Sequence, residues 1–253
     1  MKKAGAGPGG GKTGKVKSGT GKASAGARSL KTRVKTAEGR TISSQRWLQR
    51  QLNDPFVAAA KAQGLRSRAA FKLQQMDDRY KLFKPEMRVL DLGAAPGGWS
   101  QIAARLVGTA QGKPGTVLAV DINPMEPLPG VTVMQEDFLA EGAEARIKAV
   151  LGGEADAVLS DMAAPATGHK QTDHIRIMAL AETAVAFACE VLKPGGFFVC
   201  KVLQGGTEKD LLTMLKKSFS SVRHVKPEAS RAGSAELYVL ATGFRGDVRA
   251  HLD

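Results

Sequence analysis

A short apolar run, Arg88-Val89-Leu90-Asp91-Leu92, passes directly into a loop of small residues, Gly93-Ala94-Ala95-Pro96-Gly97-Gly98, and then into a helical stretch from Trp99 to about Val107. This strand, glycine loop and helix unit constrains the fold most, because parallel strands can be joined only by a crossover, usually a helix. The pattern continues downstream. Thr116–Val120 reads as a strand ending at Asp121, Val131–Gln135 as one followed by Glu136-Asp137, and Asp156–Ser160 as one ending at Asp161. Residues 142–151 and 173–192 read as helices, and Lys193-Pro194-Gly195-Gly196 supplies a stop to the second. Phe197–Val202, a helix over 207–219, and strands at Ser221–Val225 and Leu237–Ala241 complete the series. Upstream, residues 41–66 predict one helix or two short ones, and residues 68–82 another. The alternation predicts an α/β domain with a largely parallel sheet and helices on both faces. Ligands of such sheets bind at the carboxyl ends of the strands, so the acids placed there are candidate site residues.

Charge divides the chain. Of a net charge of +13 over 253 residues, the first 50 carry 13 lysines and arginines against Glu38 alone. The Gly/Lys/Ser/Ala-rich segment 1–40 cannot bury enough apolar surface to order itself, and such basic tails bind phosphate backbones without sequence preference. The expected organisation is a disordered basic tail at 1–40, one domain at 41–247 and a short tail at 248–253. Gly11-Lys12-Thr13 resembles the end of a phosphate-binding loop, but Ala6 stands where the first glycine is needed and no strand precedes it. No apolar run reaches the ~18 residues of a membrane span, and the start at Met1-Lys2-Lys3 lacks the apolar stretch of a secretory signal. The two cysteines, Cys189 and Cys200, lack metal-ligand spacing. These features predict a cytoplasmic protein without metal or membrane partner.

The loop spacing G-x-x-x-G-G is not the dinucleotide pattern G-x-G-x-x-G. Asp91 at the strand end suits a cationic amino-acid group better than a phosphate. Asp121 can accept from both hydroxyls of a ribose, and Asp137 from an adenine amino group. Glycine loop and successive acids together describe an S-adenosylmethionine site, with NAD as the alternative because it shares the ribose-binding acid. Outside this set lie Lys72 in the helix over 68–82, Asp161, Lys201 near the end of Phe197–Val202, and Glu236 at the start of the last strand. Lysine is rare inside an apolar strand without a partner. Lys201 is thus neutralised by Asp161, placed at a solvated strand edge, or positioned for chemistry.

Several segments together carry a resemblance: Leu65-Arg66-Ser67-Arg68-Ala69-Ala70-Phe71-Lys72-Leu73, Asp91–Trp99, Ser160-Asp161-Met162, Leu192–Gly196, Lys201-Val202, and Ser230-Arg231 with Glu236. From about residue 54 to 244, the chain resembles the FtsJ/RrmJ (RlmE) family of ribosomal RNA 2'-O-ribose methyltransferases. The resemblance implies a Rossmann-like S-adenosylmethionine-dependent methyltransferase fold with a seven-stranded, mostly parallel sheet. It implies a catalytic tetrad at Lys72, Asp161, Lys201 and Glu236, with cofactor-binding residues at Gly97, Trp99, Asp121, Asp137 and Asp161. For bacterial members it implies a uridine of 23S rRNA within the large ribosomal subunit as the target. Phe56 and the stretch Met162-Ala163-Ala164 depart from the family pattern, where tyrosine and proline-asparagine are more common.

The expected reaction is 2'-O-methylation by a monomeric enzyme, with Lys201 as general base. Lysine is charged at neutral pH unless its surroundings favour the neutral amine. Asp161 and Glu236 are expected to orient it. Arg66, Arg68 and Lys72 are expected to border the RNA path. The alternatives are a tRNA 2'-O-ribose methyltransferase, whose relatives share the tetrad, and a non-catalytic RNA-binding ribosome assembly factor. A cytosine-5 methyltransferase needs a Pro-Cys nucleophile, whereas Cys200 follows Val199. A base-nitrogen enzyme often carries an aromatic clamp after Asn/Asp-Pro-Pro, whereas Asp161 precedes Met162-Ala163. With aromatics at only 5%, phosphate and shape contacts should dominate RNA binding. Deleting residues 1–40 is therefore expected to shallow the log–log salt dependence of RNA affinity by ~0.7 for each phosphate that the tail neutralises. Filter binding across a salt series measures it, and an unchanged slope would exclude the tail from the complex.

Overall fold

The computed structural model describes residues 41–165, 167–204, 208–231 and 233–246. The basic segment 1–40 with its Gly11-Lys12-Thr13, and the C-terminal 248–253, lie outside the described residues. Three helices lead in: α1 (Ile42–Leu52), α2 (Pro55–Ala62) and α3 (Ala70–Tyr80). Then follow β1 (Arg88–Leu92), α4 (Gly98–Val107), β2 (Thr116–Asp121), β3 (Thr132–Gln135), α5 (Ala143–Leu151), β4 (Ala155–Ser160) and α6 (Lys170–Val191). The chain continues through β5 (Leu192–Leu203), α7 (Glu208–Ser218), β6 (Phe219–Val225) and β7 (Glu236–Phe244).

Residues 41–66 form two helices rather than one. Asp54 caps the second, its carboxylate accepting from the Phe56 amide at 3.0 Å, and Pro55 occupies the first helical position, where its missing N–H costs nothing. The Lys193–Gly196 segment does not separate α6 from its strand as the sequence suggests. β5 starts at Leu192, which pairs with Ala155, and re-enters register at Phe197 opposite Ala157. The intervening residues bulge past Asp156, whose carboxylate pairs with the Lys193 ammonium. β7 also runs on to Phe244, beyond the expected end at Ala241.

The seven strands form one sheet in the order β3-β2-β1-β4-β5-β7-β6. The first five pair in parallel, whereas β7 runs antiparallel between β5 and β6. The chain winds outward from β1 in one direction and from β4 in the other. The carboxyl ends of β1 and β4 therefore flank the crevice where such sheets bind ligands.

Alternation sorts the strand residues between two cores. Phe198, Cys200 and Val202 of β5 pack with α5, α6 and α7. Phe197 and Val199 pack with α2, α3 and α4, as do Leu159 of β4 and Tyr238 of β7. The same parity carries Lys201 and Asp161 to the face covered by α3, the helix that holds Lys72. The sheet thus delivers the polar side chains as a continuation of its core rows. Phe198 is fully buried in the central region of the sheet, so Phe198→Ala is expected to cost ~3–5 kcal/mol of stability, measured by urea unfolding.

Candidate active site

Lys72, Asp161, Lys201 and Glu236 converge where β4 ends and β7 begins. Because β7 is antiparallel, its first residues stand beside the last residues of β5: Leu203 pairs with Glu236 and Lys201 with Tyr238. The Lys201 ammonium nitrogen lies 2.6 Å from the Asp161 carbonyl oxygen and 3.0 Å from its carboxylate Oδ1. Lys72 Nζ lies 2.9 Å from Glu236 Oε2, 2.8 Å from the Tyr238 hydroxyl and 3.7 Å from Asp161 Oδ2. Tyr238 donates to Asp161 Oδ1 at 2.7 Å. Both lysines are buried, at 5% and 8% exposure. Desolvation of that order is tolerable only with charged or hydrogen-bonding partners, and each lysine has them.

Tyr238 and Ser230 belong to this network; the sequence marks Ser230 only as part of the segment Ser230-Arg231 and does not mark Tyr238. Burial pushes the Tyr238 hydroxyl well above the ordinary tyrosine range, with the Asp161 and Glu236 charges adding to the effect. It stays a neutral bridge, accepting a hydrogen bond from Lys72 and donating one to Asp161. Ser230 donates to Glu236 Oε1 at 2.9 Å and fixes the second oxygen of that carboxylate. The signal for Tyr238 was present: on a strand opened by Glu236, the residue two positions on shares its face.

Beside the tetrad lies a cavity of about 620 Å³, whose walls include Gly93, Ala95, Asp121, Asp137, Asp161 and Met162. Asp161 belongs to both the cavity wall and the tetrad. Asp121 accepts from the Ala95 amide at 2.8 Å on one oxygen, and on the other from the Asn123 amide at 2.8 Å and side chain at 2.9 Å. Asp137 accepts from the Leu139 amide at 3.0 Å. Ile122 and Leu139, 62% and 55% exposed, contribute apolar surface to the same cavity. Carboxylates beside exposed aliphatic side chains suit a ligand with a flat base and a hydroxylated sugar. Among the described residues no cluster of histidine, cysteine, aspartate or glutamate could hold a metal ion.

Gly97 and Trp99 stand apart from this wall. Gly97 has a φ of 101°, and a Cβ there would fall 2.7 Å from Leu128 Cδ1 and 2.9 Å from Met125 Sδ. Trp99 is buried, its indole donating to the Ala69 carbonyl at 2.8 Å and its ring 5.5 Å from that of Tyr238. Both residues shape the support of the site, binding the glycine loop to α3 and to the β2–β3 connection. The guanidinium of Arg66, expected beside RNA, donates to the carbonyls of Pro96, Glu126 and Pro127. Arg68 contacts Asp54 at 2.9 Å and the Ala229 carbonyl at 2.6 Å.

The FtsJ-like methyltransferase family matches residues 65–244, which span α3, the whole sheet and every site residue above. The chain belongs to the FtsJ-like methyltransferase family. Among its relatives, the ribosomal RNA large subunit methyltransferase E of Parvibaculum lavamentivorans is 60% identical over 250 residues, covering 96% of each chain. The protein of the same name from Xanthobacter autotrophicus is 63% identical over 220 residues, covering 87% of this chain and 86% of its own. A crystal structure of a Plasmodium falciparum protein described as a ribosomal RNA methyltransferase superimposes with a TM-score of 0.64 at 28% identity. It covers 72% of this chain and 100% of its own. Family membership and sheet topology agree on a Rossmann-like methyltransferase fold.

Within this FtsJ-like site the electrostatics of one further acid stand out. Burial pushes the Asp91 carboxyl up to about 7, with the Ser100 hydroxyl at 2.6 Å opposing the shift and the Asp161 and Asp121 charges adding to it. Burial likewise pushes the Cys200 thiol up to about 12, which keeps it protonated and inert as a nucleophile. Folded Asp91 holds a proton that the unfolded chain releases near pH 4, so its contribution to stability falls as pH rises from about 4 to about 7. Asp91→Asn should remove that slope. Melting temperatures of both proteins across this range check it, and parallel curves would refute it.

Proposed function

We propose that the chain transfers a methyl group from S-adenosylmethionine to the 2'-hydroxyl of a uridine ribose in 23S rRNA of the large ribosomal subunit, with Lys201 accepting the hydroxyl proton. The single observation that carries this reading is the disposition of Lys201 beside the cavity, held by two contacts that both end on Asp161. The relatives named ribosomal RNA large subunit methyltransferase E support the choice of RNA.

The cavity suits the proposed donor. Asp121 would meet the ribose hydroxyls, for which the Asn123 side-chain amide is the replaceable partner, since the Ala95 and Asn123 backbone contacts belong to the loops themselves. Asp137 is positioned for the adenine amino group, and Ile122 and Leu139 for the faces of the base. Gly97 and Trp99 would act through the glycine loop they support. When bound, S-adenosylmethionine supplies a methyl group on a positively charged sulfur, which needs no metal to be transferred.

The two lysines divide the labour by their hydrogen bonds. Lys72 donates to Glu236 and to the Tyr238 hydroxyl and has the Asp161 carboxylate as a second anion at 3.7 Å, surroundings that suit a charged ammonium. Lys201 has two close acceptors, both on Asp161. A neutral amine there directs both N–H groups to Asp161 and keeps its lone pair for an incoming hydroxyl. Asp161 aims Lys201, and the charged oxygens around it accommodate the proton after transfer. Glu236, fixed by Ser230 and Lys72, holds the Lys72 end of the row. Alignment of the reactants supplies much of the rate and the base ~10²–10⁴-fold. The segment 1–40 would add phosphate contacts that hold the subunit or RNA.

Lys201→Ala is expected to lower methyl transfer to RNA by ~10²–10⁴-fold while leaving the dissociation constant for S-adenosylhomocysteine within about twofold. Tritiated-methyl transfer and calorimetry measure the two. Full activity would remove Lys201 from the mechanism. Mapping the 2'-O-methyl sites that disappear from total RNA of a deletion strain then separates a 23S rRNA target from a tRNA target, and an unchanged methylation map would favour a non-catalytic assembly factor.

A further inference from the structure

Arg66 lies in the connection between α2 and α3, outside both the cavity and the tetrad. Its Nη1 donates to the Pro96 carbonyl at 3.1 Å and the Glu126 carbonyl at 2.7 Å, and its Nη2 to the Pro127 carbonyl at 2.7 Å. Pro96 belongs to the glycine loop after β1, and Glu126 and Pro127 to the connection after β2. These two loops are neighbouring parts of the cavity wall, which Gly93 and Ala95 line from one and Asp121, Ile122 and Asn123 from the other, and the Ala95 amide donates across to Asp121 at 2.8 Å. No carboxylate lies within ion-pair distance of the guanidinium among the described residues. The cation is therefore committed to carbonyl groups that no helix or strand satisfies.

We infer that Arg66 is a positioning residue that clamps these two neighbouring loops to each other and so fixes the part of the cofactor cavity wall that they form. The inference rests on the reading of that cavity as the S-adenosylmethionine site. Three further contacts tie the clamp to the reaction centre. The Arg66 amide donates to the Gln101 side chain on α4 at 3.1 Å, and that side chain donates back to the Gly64 carbonyl at 2.8 Å. Three residues beyond Arg66, the Ala69 carbonyl accepts from the Trp99 indole at 2.8 Å, and Lys72 follows one turn later. Gly98 permits the approach, since a Cβ there would collide with the Ser67 hydroxyl. The segment from Leu65 to Ala69 thus links the cofactor loops rigidly to the helix that carries Lys72. The planar guanidinium fork spreads its donors over carbonyls of two loops, whereas a lysine gathers its three N–H groups on one nitrogen.

The test compares Arg66→Ala and Arg66→Lys with the unaltered full-length protein. Calorimetry gives the affinity for S-adenosylhomocysteine, steady-state kinetics give KM for the methyl donor and for RNA, and thermal unfolding gives Tm. Tenfold or greater weakening of S-adenosylhomocysteine binding, an equal rise in donor KM and an RNA KM within twofold are expected for Arg66→Ala. Arg66→Lys should retain Tm within a few degrees and still show weakened donor binding. Unchanged donor affinity with a raised RNA KM and a flattened salt dependence would overturn the proposal and make Arg66 an RNA contact. Equal losses for donor and RNA with a collapsed Tm in both variants would overturn it in favour of a fold-only role. Failure of the unaltered protein to bind S-adenosylhomocysteine would instead remove the cofactor reading on which the proposal rests.

Discussion

One carboxylate, that of Asp161, organises the centre of this molecule. Its Oδ1 receives Lys201 and Tyr238 at 3.0 and 2.7 Å, its Oδ2 faces Lys72 at 3.7 Å, and the same residue forms part of the cavity wall. Two buried lysines within one network would repel and desolvate each other without an anion between them. Asp161 and Glu236 supply it, and the bridging hydroxyl of Tyr238 keeps the row continuous. The tetrad is thus a single electrostatic unit in which removal of one member alters the surroundings of all others.

That unit depends on the direction of β7. Were β7 parallel to its neighbours, its first residue would lie at the opposite edge of the sheet from the ends of β4 and β5. Running antiparallel between β5 and β6, it brings Glu236 beside Leu203 and Tyr238 beside Lys201. Two-residue periodicity then turns Tyr238 and Lys201 to the face covered by α3. The glycine loop, Arg66 and Trp99 serve the same end from the other side by holding α3 and α4 against the loops of the cavity.

Much of the site was legible in the sequence because strand ends are marked by composition. Asp91, Asp121, Asp137 and Asp161 each follow or end a short apolar run, and the open α/β architecture gathers such ends at one edge. Lys201 was conspicuous as a cation among Phe197, Phe198, Val199 and Val202. The pairing of Lys72 with Glu236 came only from resemblance, since 164 residues separate them and no local spacing records the contact. Tyr238 escaped notice because an apolar strand masks an aromatic residue whose hydroxyl does the bridging. The carbonyl contacts of Arg66 were not legible, because a surface arginine and a clamping arginine have the same local sequence.

The sequence by itself determined the succession of strands and helices, the acids at the strand ends and the face on which each strand residue stands. Hydrophobic periodicity and glycine chemistry are local properties, and these features follow from them. Only the tertiary structure decided that Tyr238 accepts from Lys72 and donates to Asp161, and that the Arg66 guanidinium donates to three backbone carbonyls. Each of those depends on which groups meet across distant parts of the chain, and hydrogen-bond geometry over a few ångströms is not encoded in any one segment.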